Sequence, residues 1–243
     1  MSSILLGGLV VCITHILEAI TGFGASVLAM PFLSGLIGVK TAVQIVSILT
    51  WLFTLTIALK NVHEIDWKQY GIIMGFMLAG LPVGMYLYRS QESGTLFRLL
   101  ALFIIAASTT QLIRSANTWK QDEKIGISSF ILLFAGGIIH GVFSSGGPLI
   151  IFYAKKALPD KGSFRATLCL LWASLNTIII GTYLIEGSLG KETLGATGIM
   201  IPFIAVGYLI GEHIHHRIDE RKFSILVFVM LLLTGIFMLF QTR

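Results

Sequence analysis

Seven stretches of this chain contain no Asp, Glu, Lys or Arg: residues 41–59, 69–88, 99–113, 125–154, 166–185, 193–211 and 223–242. Residues 1–39 carry a single charge, Glu18. A helix needs about 20 apolar residues to cross a bilayer, and nearly every stretch reaches or approaches that length. Backbone polar groups inside lipid must be satisfied internally, which leaves helices or closed barrels. Membrane barrel strands alternate apolar and polar residues, and that alternation is absent. An all-α membrane protein is expected. Charged residues make up 12% of the chain, against roughly 25% in soluble domains, a deficit too large for a big soluble core to explain.

The first segment lacks a basic n-region, and its apolar run continues past the usual signal-peptide length, so it is expected to be structure. The net charge of +5 does not mark a nucleic-acid binder, because the basic residues lie in short loops between spans, where Lys and Arg set orientation. Cys12 and Cys169 sit in apolar segments and read as small buried hydrophobes.

Along the chain, a long apolar segment over 4–38 is interrupted at Gly22-Phe23-Gly24, and spans are expected at about 41–60, 68–89 and 96–114. After a polar connector the pattern restarts. A second segment over 127–157 is broken at Ser144-Ser145-Gly146-Gly147-Pro148, with spans at about 163–185, 193–212 and 222–241. Short matches align the halves. Lys40-Thr41-Ala42-Val43-Gln44 with Trp51 matches Lys161-Gly162-Ser163-Phe164-Arg165 with Trp172, a shift of 121. Gly24-Ala25-Ser26-Val27 matches Gly146-Gly147-Pro148-Leu149 at a shift of 122, and Gly80 and Gly84 match Gly207 and Gly211 at 127. The growing shift puts a small insertion around 186–191. The expectation is a duplication: a first membrane repeat over 1–115, a connector over 116–126 and a second repeat over 127–243.

Loop charges bear on how the repeats are related. If each interrupted segment crosses once, there are eight spans, parallel repeats, and a 10-to-7 split of Lys and Arg between the two sides. If each dips in and returns to its own side, twelve of the 17 fall in loops 60–68, 114–124, 155–165 and 217–222. The second arrangement obeys the positive-inside tendency better, puts those loops in the cytoplasm and turns the second repeat upside down. Each repeat then has one interrupted segment plus three spanning helices. Paired Gly/Pro-interrupted segments in inverted repeats mark the binding site of many secondary transporters.

The two breaks are therefore the leading site candidates: Gly22, Gly24, Ala25 and Ser26 in one, and Ser144, Ser145, Gly146 and Gly147 in the other. Glycine lets a ligand approach the main chain, and Pro148 suits the first turn of a restarted helix. Restarted helices present free N–H groups and a positive dipole end, which favour anions. Arg165 offers a permanently charged planar fork suited to an oxyanion, with Gln44 at the matching position of the first repeat. Glu18 is an ionisable residue at membrane depth, a costly placement that is often functional. His15 shares its helix face, and His140 matches Glu18 in the second repeat. These three are the proton-coupling candidates. Ser47, Thr50, Thr54, Asn176 and Thr177 read as interhelical packing groups. His213, His215 and His216 read as a surface cluster at a helix end, and no metal site is expected. Gly-x-Ser-x-Gly is absent, and no acid pairs with Ser144 or Ser145, so an enzyme is not expected.

The segments Glu18-Ala-Ile-Thr-Gly-Phe-Gly-Ala-Ser-Val-Leu-Ala-Met-Pro31, Gly141-Val-Phe-Ser-Ser-Gly-Gly-Pro-Leu149 and Phe164-Arg-Ala-Thr-Leu168 together resemble the sulfite exporter TauE/SafE family of membrane permeases. The first break departs from the richer Gly-x-Gly-Gly-Gly form, having Ala25 and Ser26. The resemblance implies movement of sulfite, organosulfonates or related small anions across the bacterial inner membrane. The resulting expectation is an alternating-access secondary carrier with a proton as coupling ion. Its partners are the small anionic substrate and the lipid bilayer, a homodimer is compatible, and no cofactor or nucleic acid is involved. The alternatives are a passive anion channel and, from another class, an intramembrane hydrolase.

Overall fold

The apolar stretches all become helices, and both interrupted segments become helix pairs. A computed structural model describes residues 2–21, 23–116, 125–214 and 220–240. The first half holds α1 (Ser2–Thr21), α2 (Ala25–Ile37), α3 (Val39–Lys60), α4 (Trp67–Ser90) and α5 (Ser93–Ala116). The second holds α6 (Ile127–Phe143), α7 (Gly147–Ala157), α8 (Lys161–Ile185), α9 (Lys191–Ile214) and α10 (Glu220–Phe240). No strand occurs among the described residues. Among them, α1, α3, α4, α5, α8 and α9 are long and apolar enough to cross a membrane. Most of the connector, and Gly22, His215 and His216, lie outside the described residues.

Each interrupted segment folds back on itself. A side chain added at Gly7, early in α1, would meet Leu33, late in α2, at 3.0 Å. In the same way Gly136 of α6 faces Ile150 of α7, at 3.3 Å. The breaks at 23–24 and 144–146 are therefore the tips of two helical hairpins. At 1.5 Å per residue α2 and α7 are too short to recross a bilayer alone. Gly38 then reverses the chain between α2 and α3 with φ 82°, a conformation that glycine adopts without a Cβ penalty.

Local chemistry sets the helix starts. Asp66 accepts from the Gln69 N–H at 2.9 Å to cap α4, and Asp160 accepts from the Ser163 N–H at 2.8 Å to cap α8. Each cap satisfies an N–H that the helix leaves unpaired. Both caps sit at one end of the bundle, because the Asp66 N–H donates to Thr167 at 2.9 Å. Tyr153, near the end of α7, also donates to Gln69 at this end, at 2.8 Å. Loops 60–68 and 155–165 thus share an end that is rich in lysine.

Small residues bring the long helices together. A Cβ on Gly80 or Gly84 of α4 would run into the carbonyls of Phe134 or Ile138 of α6. A Cβ on Gly207 or Gly211 of α9 would run into the carbonyls of Cys12 or Ile16 of α1. The glycine pairs differ by 127 and their targets by 122, the same offsets that align the two halves in sequence. At the centre α3 and α8 run antiparallel. Gln44, early in α3, donates to the carbonyl of Ser188, just past α8. Trp51 donates to Thr177 at 2.8 Å, and the loop after α3 reaches Thr167 at the start of α8. On the outer surface α5 packs on α10 through Gly235 against Ala101, Ile104 and Ile105. Leu102, Ile131 and Leu209 point outward and exposed, as a lipid-facing surface requires.

Candidate functional site

The two hairpin tips meet. Gly24, Ser26 and Val27 from one, and Ser144, Ser145, Gly146 and Gly147 from the other, surround a single small cavity. Glu18 and His140 line it from the long arms of the hairpins, and Thr50 and Trp172 from α3 and α8. Thr50 is near the middle of Val39–Lys60 and Trp172 near the middle of Lys161–Ile185, so the cavity sits at mid-depth. Its volume is about 10 Å³, room for one water.

Both tips carry unusual backbone geometry. Gly24 has φ 107°, a conformation that carries no steric penalty only for glycine, and a Cβ there would touch nothing. Ser144 has φ 50° and is the one non-glycine residue with positive φ among the described residues. Backbone strain of this kind costs about 1–3 kcal/mol and clusters at functional sites. No side chain caps α2 or α7, so the first-turn N–H groups of both helices lack a side-chain acceptor. Pro148 lies in the first turn of α7, where its missing N–H leaves no bond unmade.

The surrounding side chains are buried and only partly paired. Ser26 and Thr50 hydroxyls lie 3.2 Å apart, and Ser47 and Ser144 hydroxyls 2.5 Å apart. Ser47 and Thr50, expected to be packing groups, therefore hold the tips. The Ser145 hydroxyl has no hydrogen-bond partner, while the His140 ring and the Asn176 side-chain amide are buried within reach of each other. His140 stacks on Trp172 with centroids 5.3 Å apart, while Asn176 neighbours it. A hydroxyl such as that of Ser145, buried at mid-depth without a partner, fits a polar ligand, because an unmatched buried polar group costs about 1–3 kcal/mol.

Glu18 and His15 are each 1% exposed. His15 Nδ1 lies 2.8 Å from the Val11 carbonyl. That oxygen can only accept, so Nδ1 carries the proton. The other nitrogen, Nε2, faces the Glu18 carboxyl at 3.9 Å. Phe53 meets the His15 ring in an edge-to-face contact, with centroids 5.0 Å apart.

Arg165 and Gln44 are not brought to this cavity. Each lies in the early part of its helix, and the antiparallel helices carry them to opposite ends of the bundle. Arg165 pairs with Glu212 at 2.5 Å, and Gln44 binds Ser188 and Thr193. Val27, Thr50 and Trp172 are the lining residues that sequence reasoning did not select, Val27 having shown itself only within a repeat match. Trp172 had shown itself only as a repeat match, and Thr50 only as a polar group in a span.

The family model described as sulfite exporter TauE/SafE matches residues 6–238. The chain is 24% identical over 199 residues to the probable sulfite/organosulfonate exporter TauE of Cupriavidus necator, covering 80% of this chain and 77% of that protein. It is 20% identical over 183 residues to the probable inner membrane transporter protein TsaS of Comamonas testosteroni, covering 72% and 73%. No solved structure matches.

Proposed function

The chain belongs to the sulfite exporter TauE/SafE family, and on that premise we propose that it carries small oxyanions of the sulfite and organosulfonate type across the bacterial inner membrane by alternating access. The observation that carries this reading is the meeting of two helix N-termini, from two hairpins, around a buried polar cavity at mid-depth. Opposed N-termini point N–H donors and positive dipole ends at one spot. The Ser26, Thr50, Ser47 and Ser144 hydroxyls now bond to one another, and each pair supplies donors when an anion takes the partner's place. Because the cavity holds about one water, binding has to part the tips. Binding is then tied to conformational change, since a ligand shifts an equilibrium only through unequal affinity for the two states.

The inverted-repeat arrangement over 1–115 and 127–243 supplies the two states. It is supported by the antiparallel run of α3 and α8, since a two-fold along the membrane normal relates only parallel helices. It is also supported by the repeated glycine contacts of α4 on α6 and α9 on α1. The lysine-rich end faces the cytoplasm.

Glu18 gives the coupling. Two like charges 4 Å apart repel by about 4 kcal/mol at an effective dielectric of 20, so an anion in the cavity requires Glu18 to be neutral. The anion then travels with a proton on Glu18, and His15 Nε2, turned toward the carboxyl at 3.9 Å, relays that proton to the side on which the anion leaves. Occlusion at mid-depth favours a carrier over a channel. A hydrolase would need a serine bonded to a base, yet Ser144 bonds Ser47 and Ser145 bonds nothing.

Thermal stabilisation of the purified protein by sulfite tests the site. Wild type is expected to be stabilised by sulfite, and the Thr50→Val, Ser145→Ala double variant to lose most of that response. An equal response in the folded double variant would refute the placement of the site.

A further inference from the structure

Arg165 is a partly buried cation whose guanidinium fork is only partly engaged. Its side chain is 13% exposed. Nη2 donates to Glu212 Oε2 at 2.5 Å, while Nε is buried and has no partner. Around it is a compact polar cluster. Lys60 Nζ donates to the Tyr208 hydroxyl at 3.0 Å and lies 4.7 Å over that ring. Lys60 is also within electrostatic reach of both Arg165 and Glu212. The cluster thus holds two cations and one carboxylate, and that carboxylate is itself 47% exposed. Glu64 and Asp160 stand at the same helix end, near Gly162, and Asp160 is committed to capping α8.

The cluster lies on the same face of α8 as the cavity wall. Arg165, Cys169 and Trp172 are spaced by four and three residues, so they stack on one side of the helix. Arg165 lies seven residues, about 10 Å, from the cavity wall at Trp172. Cys169, between them, is within electrostatic reach of Arg165, Glu212 and Glu18.

We propose that Arg165 anchors a second, outlying anion site at the lysine-rich end of the bundle, which takes an oxyanion on its way to the cavity, with the Glu212 carboxylate as its built-in competitor and Lys60 as the cation that receives Glu212 when it is displaced. Glu212 occupies one arm of the guanidinium fork as a substrate oxyanion would. The fork suits two-point recognition of a carboxylate, sulfonate or sulfite, and its free Nε supplies the second point. Lys60 gives Glu212 somewhere to go: when an anion arrives, the exposed carboxylate swings from Arg165 to Lys60. The exchange is then one ion pair for another, and neither charge is stranded. A charged carboxylate left unpaired beside the new anion would repel it. This inference rests on the transport reading above and assigns to that transport a capture step.

The test is exchange of labelled sulfite in proteoliposomes, read as KM and maximal rate, with Tm as a check on folding. Arg165→Gln is expected to raise KM roughly tenfold or more, the lower range for losing a hydrogen bond to a charged group. Glu212→Gln removes the competitor and is expected to lower KM below wild type. The charge-swapped pair Arg165→Glu with Glu212→Arg rebuilds the ion pair, so Tm should return while KM stays high. Recovery of wild-type KM by the swap, or unchanged KM in a folded Arg165→Gln variant, would make the pair purely structural and end the proposal. A KM for Glu212→Gln at or above wild type would also overturn it. Wild type that exchanges no sulfite would instead sink the transport reading, which separates the two failures.

Discussion

Ser145 separates binding from folding more cleanly than any other residue. Its hydroxyl is buried and makes no hydrogen bond within the protein, so Ser145→Ala removes no internal bond. A hydrogen bond to an anion contributes about 1.5–3 kcal/mol. Ser145→Ala is therefore expected to raise the KM for sulfite roughly 10- to 150-fold with Tm unchanged or slightly higher, measured by exchange and by thermal unfolding in detergent. A fall in Tm with unchanged KM would put the hydroxyl in the fold and not in the site. Glu18 is tested differently. Glu18→Gln keeps the shape but cannot give up a proton, so it should abolish sulfite accumulation driven by a pH gradient and keep exchange of labelled for unlabelled sulfite. Gradient-driven uptake that survives the change would exclude coupling through Glu18. The sequence already pointed to Glu18, His140 and the two serines, because charge and hydroxyl at membrane depth stand out against apolar neighbours. It could not separate Arg165 from the cavity. A position four residues into a helix reads the same whether that turn lies near the centre or at the end of the bundle. Only the antiparallel packing of α3 against α8 settles the depth.

The helix pairs make predictions of their own. Gly84 and Gly211 let α4 lie on α6 and α9 on α1, with backbone atoms where a Cβ would go. Overpacking of this kind costs about 1–3 kcal/mol, so Gly84→Ala and Gly211→Ala should each lower Tm. Gly198, also in α9, has open space around it, and Gly198→Ala should leave Tm the same or raise it, since alanine favours the helix by about 1 kcal/mol. Equal effects at all three would mean that the close approach is not what holds these helices. The element boundaries were largely legible in sequence, because runs without charge end where loops must be solvated. The hairpin turn at Gly24 was legible only indirectly, through the loop charges that favour a segment returning to its own side. Gly-Phe-Gly allows a kinked single span as readily as a reversal, and the choice is made by packing: Leu33 seats against Gly7 and Ile150 against Gly136.

For the whole molecule the claim is that two inverted repeats carry one anion site between them. The loop charges hinted at the inversion, and the repeat offsets of 122 and 127 reappear in the glycine contacts. Orientation is open to a direct check. Single cysteines replacing Asn61 or Pro159, in a chain with Cys12 and Cys169 changed to Ala, should both resist an impermeant thiol reagent in intact cells. A cysteine replacing Gly190 should react. Opposite accessibility of positions 61 and 159 would favour parallel repeats. The central claim is tested most directly by counterflow in proteoliposomes holding the purified wild-type protein. With labelled sulfite outside, a high concentration of unlabelled sulfite inside should speed uptake of label and drive its transient accumulation above the outside level. Uptake that is indifferent to internal sulfite, and that never exceeds equilibrium, would contradict an alternating-access carrier.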